Sequence, residues 1–211
     1  MRALSWPTTQ YPSCSQCQFV CVLRLEENSP DLGRLRKGGR TMAQAIVIPA
    51  KDSEPIEPKD FRKLENYRAE AGGWIEQVDL PNIGVTLVVN ENGIAEGLPF
   101  NRRATFFWWF HEPRAHGRAR LLGDVVLVGV PDDDGDLTDV PASIAELLLD
   151  PGEFAVEARR TEEDEWRSEP SLHPSYVEAL VWACMVQELG ETGLKLRVVR
   201  TEGELASEPS C

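Results

Sequence analysis

The stretch NRRATFFWWFHEP, residues 101–113, decides how this chain folds. Asn101 is a typical helix-capping residue and Pro113 cannot continue a helix, so the sequence predicts a helix over residues 102–111. Five consecutive aromatic residues, 106–110, cover more than one helical turn, and their side chains therefore point in every direction around the axis. One sheet cannot cover a helix that is apolar on all sides. We therefore expect a second body, either another part of this chain or another molecule, to cover the remaining rings.

Two interpretations of this helix remain open. In the first it is a core helix, with Ala104, Phe107 and Trp108 facing a sheet and the C-terminal part of the chain covering the other rings. In the second, Phe106 or Trp109 is exposed within a rim of arginines and anchors a protein partner, because Trp and Arg dominate binding hot spots. An exposed ring can equally stack on the bases of a single-stranded nucleic acid. The arginines of the rim are Arg102, Arg103, Arg114, Arg118 and Arg120.

The charge distribution favours a protein partner over nucleic acid. The chain of 211 residues has a formal net charge of −13. Residues 101–120 hold five Arg and one Glu, a net charge of +4, whereas residues 131–169 hold 14 acidic residues and three Arg, a net charge of −11. General affinity for a phosphate backbone needs clustered Lys and Arg, so an acidic chain argues against nucleic acid. The acidic face formed by residues 131–169 is a second candidate contact for a protein. No apolar run is long enough to cross a membrane.

Hydrophobic patterning predicts an α+β fold, with a small mixed and mainly antiparallel sheet and a few packed helices. A helix is expected over residues 61–71, capped by Asp60 and ended by the glycines at 72 and 73. Residues 74–100 are expected to form a meander of antiparallel pairs, and Pro141 to start a short helix over 142–149. Strands are predicted at residues 45–50, 74–80, 85–90, 124–130 and 154–159, the last being the final strand of a core domain over 42–159.

Beyond this core domain the sequence predicts a helix–strand extension. Residues 160–171 are charged and contain proline, which is typical of a linker. The extension, residues 172–200, consists of an amphipathic helix over 174–189 and an alternating edge strand over 194–199. We expect residues 201–211 to form a disordered tail.

Residues 1–41 differ in composition from the rest of the chain. They hold three of the five cysteines, and six Lys or Arg against three Asp or Glu. Three cysteines without a second pair are too few for a zinc site. The Lys-Gly-Gly sequence shortly before Met42 can be encoded by a ribosome-binding sequence, so we interpret this segment as a disordered leader or a start-site artefact. The remaining cysteines, Cys184 and Cys211, are too few for a disulfide framework and fit the cytoplasm.

No catalytic or metal-binding pattern is present in the sequence. The spacing of His111 and His116 does not give the HExxH motif of zinc proteases. The acidic run that starts at Asp132 lacks the glycine and the glutamate of an EF-hand, since Leu137 and Ser143 occupy those positions. We therefore predict no catalytic residue, no metal ligand and no cofactor, and enzymatic activity has no positive support.

The predicted start of the aromatic helix is a candidate site for a small anion. Free backbone N–H groups at a helix start, together with the guanidinium groups of Arg102 and Arg103 beside Asn101, can bind a carboxylate or a phosphate. The alternative is that an arginine pairs with an acid such as Glu76 or Asp124 and braces the fold.

Four stretches carry a likeness to a known family: GGWIEQVDL at 72–80, VNENGIAEGLPFNRRA at 89–104, GDVVLVG at 123–129 and DDDGDLTDVP at 132–141. In this order they resemble the bacterial and phage family catalogued as domain of unknown function 3846, over about residues 45–155. The resemblance implies a small α+β domain, often encoded on mobile elements, without an agreed activity. No catalytic residue can be carried over. The motif positions to which it assigns a structural role are Gly72, Gly73, Glu76, Asn90, Gly93 and Asp124.

The sequence thus predicts a cytoplasmic, non-enzymatic binding or accessory protein of a bacterial or phage genome. Its partner is expected to be another protein, contacted through the aromatic–Arg helix or the acidic face. One alternative is a small-ligand or nucleotide-binding module that uses Asn101, Arg102 and Arg103, and another is single-stranded nucleic-acid binding. The candidate binding residues are Asn101, Arg102, Arg103, Phe106, Trp109, Arg114, Arg118 and Arg120.

Overall fold

A computed structural model describes residues 43–133, 135–189 and 193–201 of the chain. In this part of the chain there are two antiparallel sheets and four α-helices, which confirms the predicted α+β class. The expected leader lies outside the described residues, as does the expected tail except for Thr201.

The described residues form eight strands and four α-helices. The strands are β1 (Ala43–Ile48), β2 (Glu57–Phe61), β3 (Ile75–Leu80), β4 (Val85–Asn90), β5 (Val125–Gly129), β6 (Phe154–Arg159), β7 (Arg167–His173) and β8 (Lys195–Arg200). The helices are α1 (Leu64–Ala71), α2 (Arg102–His111), α3 (Ala142–Leu149) and α4 (Tyr176–Leu189).

The larger sheet has five strands in the order β2-β1-β5-β4-β3, and all neighbouring strands are antiparallel. Its inner strands are rich in Val because helices cover both faces. On one face Leu87 and Leu127 belong to the larger apolar cluster, which includes residues of α2, α3, α4 and β6. On the other face Val88 and Val126 pack in a smaller cluster with Tyr67 of α1.

The second sheet has three strands in the order β7-β6-β8, which corrects two predictions. Residues 154–159 form β6, as expected, but β6 pairs with β7 and β8 rather than with the strands of the larger sheet. The predicted linker over 160–171 contains most of β7. Its polar sequence gave no strand signal, because the side chains of an exposed edge strand need not be apolar. The Trp166 ring holds the connection in place, between the guanidinium groups of Arg159 at 4.4 Å and Arg197 at 4.3 Å.

The helix predicted over residues 61–71 begins later, at Leu64, and the preceding residues form β2. Phe61 is the last residue of β2 rather than part of a helical stripe, and its ring stacks on that of Tyr67 with centroids 4.8 Å apart. Asp60 therefore does not cap the helix. Instead the side-chain oxygen of Asn66 accepts a hydrogen bond from the backbone N–H of Lys63 at 3.1 Å. The end of the helix is as predicted, since Gly72 takes the left-handed conformation with φ of 81°.

The loop after β4 corrects the predicted meander over residues 74–100. β3 and β4 pair along six residues as expected, but residues 91–97 form turns rather than another strand. Phe100 returns to the fold through an isolated bridge to Leu122. The segment therefore consists of one antiparallel pair followed by a tightly turned loop.

Candidate partner-binding surface

The rings of α2 lie between the larger sheet and the C-terminal part of the chain. Phe107 is 0% exposed and Trp108 is 7% exposed, and both belong to the larger apolar cluster. Trp109 is half-buried, and its Nε1–H donates to the carbonyl oxygen of Ala119 at 2.8 Å. The half-buried Phe106 ring meets the Trp109 ring edge-on, with centroids 5.2 Å apart. This arrangement matches the core-helix interpretation, because none of these four rings stands free.

α4 is the second body that covers this helix. The Cys184 thiol lies 3.9 Å from the backbone carbonyl oxygen of Phe106. The Tyr176 hydroxyl is 3.2 Å from Nε2 of His111. The exposed-anchor interpretation requires a ring of α2 that is free to contact a partner. Phe106 and Trp109 are instead packed against other residues of this chain.

Asn101 caps α2 as predicted and is fully buried. Its side-chain oxygen accepts a hydrogen bond from the backbone N–H of Ala104 at 3.0 Å. Its Nδ2 donates to the carbonyl oxygens of Ile48 at 2.8 Å and Gly123 at 2.9 Å. The amide group is therefore bound to three protein groups that fix α2 against β1 and β5.

Arg102 and Arg103 brace the loop after β1, although not through the acids that we expected. The Arg102 guanidinium pairs with Glu178 of α4 at 2.6 Å and with Asp52 at 3.0 Å. These hydrogen bonds, first that to Glu178, raise the pKa of Arg102. Asp124 instead accepts a hydrogen bond from the backbone N–H of Ala50 at 2.8 Å.

Arg103 binds mainly backbone. It donates to the carbonyl oxygens of Pro49 at 2.7 Å, Lys51 at 2.9 Å and Glu54 at 2.8 Å. Burial lowers the pKa of this guanidinium. A small anion at this position would have to displace carbonyl and carboxylate groups that already bind the two arginines, so the observed geometry favours a bracing role.

The other arginines of the proposed rim lie in the loop that follows α2. All three side chains are exposed, those of Arg114, Arg118 and Arg120. Arg120 also has an interaction partner. The same loop supplies His116, whose ring lies 4.8 Å from the Trp109 ring. The loop therefore covers Trp109 while its charged groups face solvent.

Three buried titratable groups near α2 are held in their neutral forms. Burial lowers the pKa of His111 to about 4, raises the pKa of Cys184 to about 12 and raises the pKa of Tyr176. A protonated thiol is a poor nucleophile. These groups therefore contribute packing rather than charge at neutral pH.

A different set of motif residues meets where β3 begins and β4 ends. The Nδ2 of the buried Asn90 donates to the Ala71 carbonyl oxygen at 3.1 Å and to the Glu96 carboxylate at 3.0 Å. Gly73 is in close contact with these groups, since a Cβ there would lie 3.0 Å from Asn90 Nδ2 and 3.3 Å from Glu96. A side chain at Gly73 would require Asn90 or Glu96 to shift by a few tenths of an ångström. Asn90 and Gly73 thus hold the end of β4 against the end of α1 and the loop that follows β4.

The neighbouring loop over residues 91–98 is fastened in the same way. The backbone N–H of Glu91 donates to the Trp74 carbonyl oxygen at 2.8 Å. Gly93 is buried, and a Cβ there would lie 3.0 Å from the Cβ of Leu122. Glu76, by contrast, lies half-buried within β3. Because Gly93 has no side chain, the loop can approach Leu122, which pairs with Phe100.

Three large apolar side chains are exposed in residues 72–74 and 91–100. Trp74 is 60% exposed, Ile94 is 43% exposed and Phe100 is 40% exposed. The guanidinium of Arg68 lies 4.5 Å from the centroid of the Trp74 ring. We call residues 72–74 together with 91–100 the loop-end surface. Exposed aromatic and aliphatic side chains on a rigid frame are typical of contact surfaces.

The described residues show no group of three or more His, Cys, Asp or Glu that could hold a metal ion. Among the helices of these residues, none is long and apolar enough to cross a membrane. The acidic loop after β5 contains Asp132, whose carboxylate accepts a hydrogen bond from the backbone N–H of Asp136 at 3.0 Å. This is the geometry of a turn rather than of an ion site.

Residues 42–152 match the sequence model of a known family, the domain of unknown function DUF3846. The chain belongs to this family. The DUF3846 match spans the five-stranded sheet with α1, α2 and α3, and it includes the whole loop-end surface. The three-stranded sheet and α4 lie beyond it, and α4 packs against the DUF3846 helix α2. No curated protein and no solved structure matches the chain.

Sequence reasoning missed the exposed residues of the DUF3846 region. The sequence predicts Trp74 as a strand residue and Ile94 and Phe100 as parts of a meander. One signal was available, since Trp74 follows two glycines directly and such a turn can present a side chain outside the sheet. Asp52 and Glu178, the partners of Arg102, had no signal, because both lie far from it in sequence.

Proposed function

We propose that this chain is a non-enzymatic protein-binding module that contacts its partner through the loop-end surface. The observation that carries the proposal is the 60% exposure of Trp74, which directly follows the closely packed Gly73. The backbone on either side of Trp74 is fixed by the close packing of Gly73 and by the hydrogen bond from Glu91. A large ring that is already held in place loses little conformational freedom on binding. Trp is also the residue type most enriched in binding hot spots.

Charge indicates what kind of partner fits this surface. The chain carries a formal net charge of −13, and Glu91 and Glu96 lie within the loop-end surface itself. A basic protein surface with an apolar pocket for the indole ring would complement it. Like charge repels a nucleic-acid backbone. The setting that fits the family resemblance is the cytoplasm of a bacterium that carries a phage or another mobile element.

The test is affinity capture from a bacterial lysate with the tagged chain, followed by quantitative mass spectrometry. We expect a basic protein to be captured by the wild type and to be reduced at least about tenfold by Trp74→Ala, as hot-spot residues require. Leu172→Ala is the matched control, because Leu172 is 52% exposed but lies in β7, in the second sheet.

Equal capture by the wild type and Trp74→Ala would contradict the proposal, and so would equal losses in both variants. The thermal unfolding midpoints of both variants should match that of the wild type, since both side chains are mainly exposed. Capture differences can then be attributed to the surface rather than to folding.

A further inference from the structure

The two sheets of the described residues end in four edge strands, and one of these differs from the rest. The edges are β2 and β3 of the five-stranded sheet and β7 and β8 of the three-stranded sheet. An edge strand presents a row of unpaired N–H and C=O groups, and natural proteins protect it with Pro, Lys or a β-bulge.

Three of these edges carry such protection. β2 contains Pro58 and Lys59, and Lys59 also pairs with Glu70 at 2.7 Å. β7 contains Pro170, and its pairing with β6 is interrupted by a register shift. β8 begins at Lys195. β3 has the sequence IEQVDL, with no Pro, no Lys and no interruption along its six pairs with β4.

The register of β3 shows which of its backbone groups face outward. The backbone N–H of Glu91 donates to the Trp74 carbonyl oxygen, so residues 74 and 91 form a hydrogen-bonded pair. Such pairs alternate along an antiparallel ladder. The next pairs, Ile75 with Asn90 and Gln77 with Val88, therefore direct the N–H and C=O groups of their β3 residues away from β4. The N–H and C=O groups of Asp79 point outward for the same reason.

The charge of β3 selects the occupant of this edge. A second copy of the chain is a poor match, because the chain has a formal net charge of −13 and β3 itself carries Glu76 and Asp79 and no Lys or Arg. Pairing two such strands would bring four acids together, and like charges repel. A partner segment with Lys or Arg beside these acids would be attracted instead, and one end of it would reach Trp74, which directly precedes β3.

We propose that the partner adds an extended basic segment as a sixth strand along β3, with an apolar side chain against the Trp74 ring. This inference rests on the proposed function and specifies how the partner binds. Main-chain hydrogen bonds to residues 75, 77 and 79 supply affinity, whereas the ring and the two acids select the sequence. The loop-end surface and the β3 edge are then continuous parts of one site.

The probe is a short extended peptide with Lys on both faces, beside Glu76 and beside Asp79, and with Val at the position next to Trp74. The readout is hydrogen exchange of single amides followed by NMR. We expect the peptide to slow exchange of the Ile75, Gln77 and Asp79 amides at least about fivefold, because these N–H groups become hydrogen-bonded. The same peptide with Glu in place of each Lys should leave their exchange unchanged.

Gln77→Pro removes one outward N–H without removing a bond to β4, since proline is tolerated on edge strands. We expect it to abolish the slowing at Ile75 and Asp79, whereas the matched variant Gln77→Ala retains it. Circular dichroism and thermal unfolding establish that Gln77→Pro is folded. If Gln77→Pro does not fold, Gln77→Ala and the two peptides still decide the question.

Unchanged exchange in the wild type would overturn strand addition, as would equal slowing in the Gln77→Pro variant. The same variants separate this inference from the proposed function in the capture experiment. If Trp74→Ala lowers capture and Gln77→Pro does not, the loop-end surface stands and strand addition falls. If Gln77→Pro lowers capture and Trp74→Ala does not, the reverse holds.

Discussion

At the scale of single residues, the polar groups around α2 serve the fold. Asn101 satisfies three backbone groups, and Arg103 binds three carbonyl oxygens, so each buried charge or amide has partners. His111 differs, because burial holds it in the neutral form beside Tyr176. Leaving one such group unsatisfied costs more than the bond itself contributes. Polar substitutions here should therefore change stability before they change binding.

His111 should make stability depend on pH in the acidic range. Its pKa falls from an ordinary value of 6.5 to about 4 in the folded chain. Between these values the unfolded chain binds a proton that the folded chain does not, so stability falls as the pH falls and levels off below about 4. The shift corresponds to roughly 3 kcal/mol at most. Urea unfolding at neutral pH and at about pH 4, compared between the wild type and His111→Gln, measures it.

In the His111→Gln variant the acid-induced loss of stability should be smaller by that amount. The carboxylates titrate equally in both proteins, so the difference between the two pH profiles isolates the imidazole. Identical profiles would mean that His111 accepts a proton in the folded state as readily as in the unfolded chain.

At the scale of elements, the sequence predicted α2 best and two of the four edge strands, β2 and β7, worst. The bounds of α2, residues 102–111, agree with the structure because the Asn101 cap and Pro113 are local signals. β2 and β7 were missed because they are polar, contain proline and bury little side-chain surface. Their pairing is decided by distant neighbours, which no local pattern reveals. At Trp74 the two preceding glycines are a local signal for a turn, but the exposure of the ring is decided by distant neighbours.

The cap of α2 provides a test at this scale. Asn101→Ala removes one acceptor and two donors from a fully buried position, and we expect it to lower the free energy of unfolding by about 2–4 kcal/mol. Asn82→Ala is the matched control, since Asn82 is exposed and donates one hydrogen bond, to the His111 carbonyl oxygen at 3.0 Å. Its cost should stay below about 1 kcal/mol. Denaturant unfolding of both variants measures the difference, and equal costs would mean that the cap is dispensable.

At the scale of the whole molecule, the C-terminal part completes the core of the family domain. Phe154, Tyr176 and Leu180 belong to the same apolar cluster as Phe107 of α2. These three residues lie outside the DUF3846 match, which ends at residue 152. In this chain the domain therefore depends on residues beyond its family boundaries.

A chain limited to residues 42–152 should consequently associate or unfold. It lacks α4 and β6, so the rings of Phe106 and Trp109 lose part of their cover and form an apolar patch. We expect a lower thermal midpoint and oligomers in size-exclusion chromatography with light scattering. The same fragment carrying Phe106→Ser and Trp109→Ser should form fewer oligomers. A monomeric, fully stable fragment would show that the cover is unnecessary.

The aromatic side chains of α2 have a further consequence for the motions of the protein. These rings contact the larger sheet on one side and α4 on the other. Neither the family domain nor the C-terminal part can therefore separate from the other without exposing the same aromatic side chains to water. Partial openings that spare one of these two parts are therefore nearly as costly as complete unfolding. The protein should open and unfold as a single cooperative unit, and its two sheets should unfold in one thermal transition.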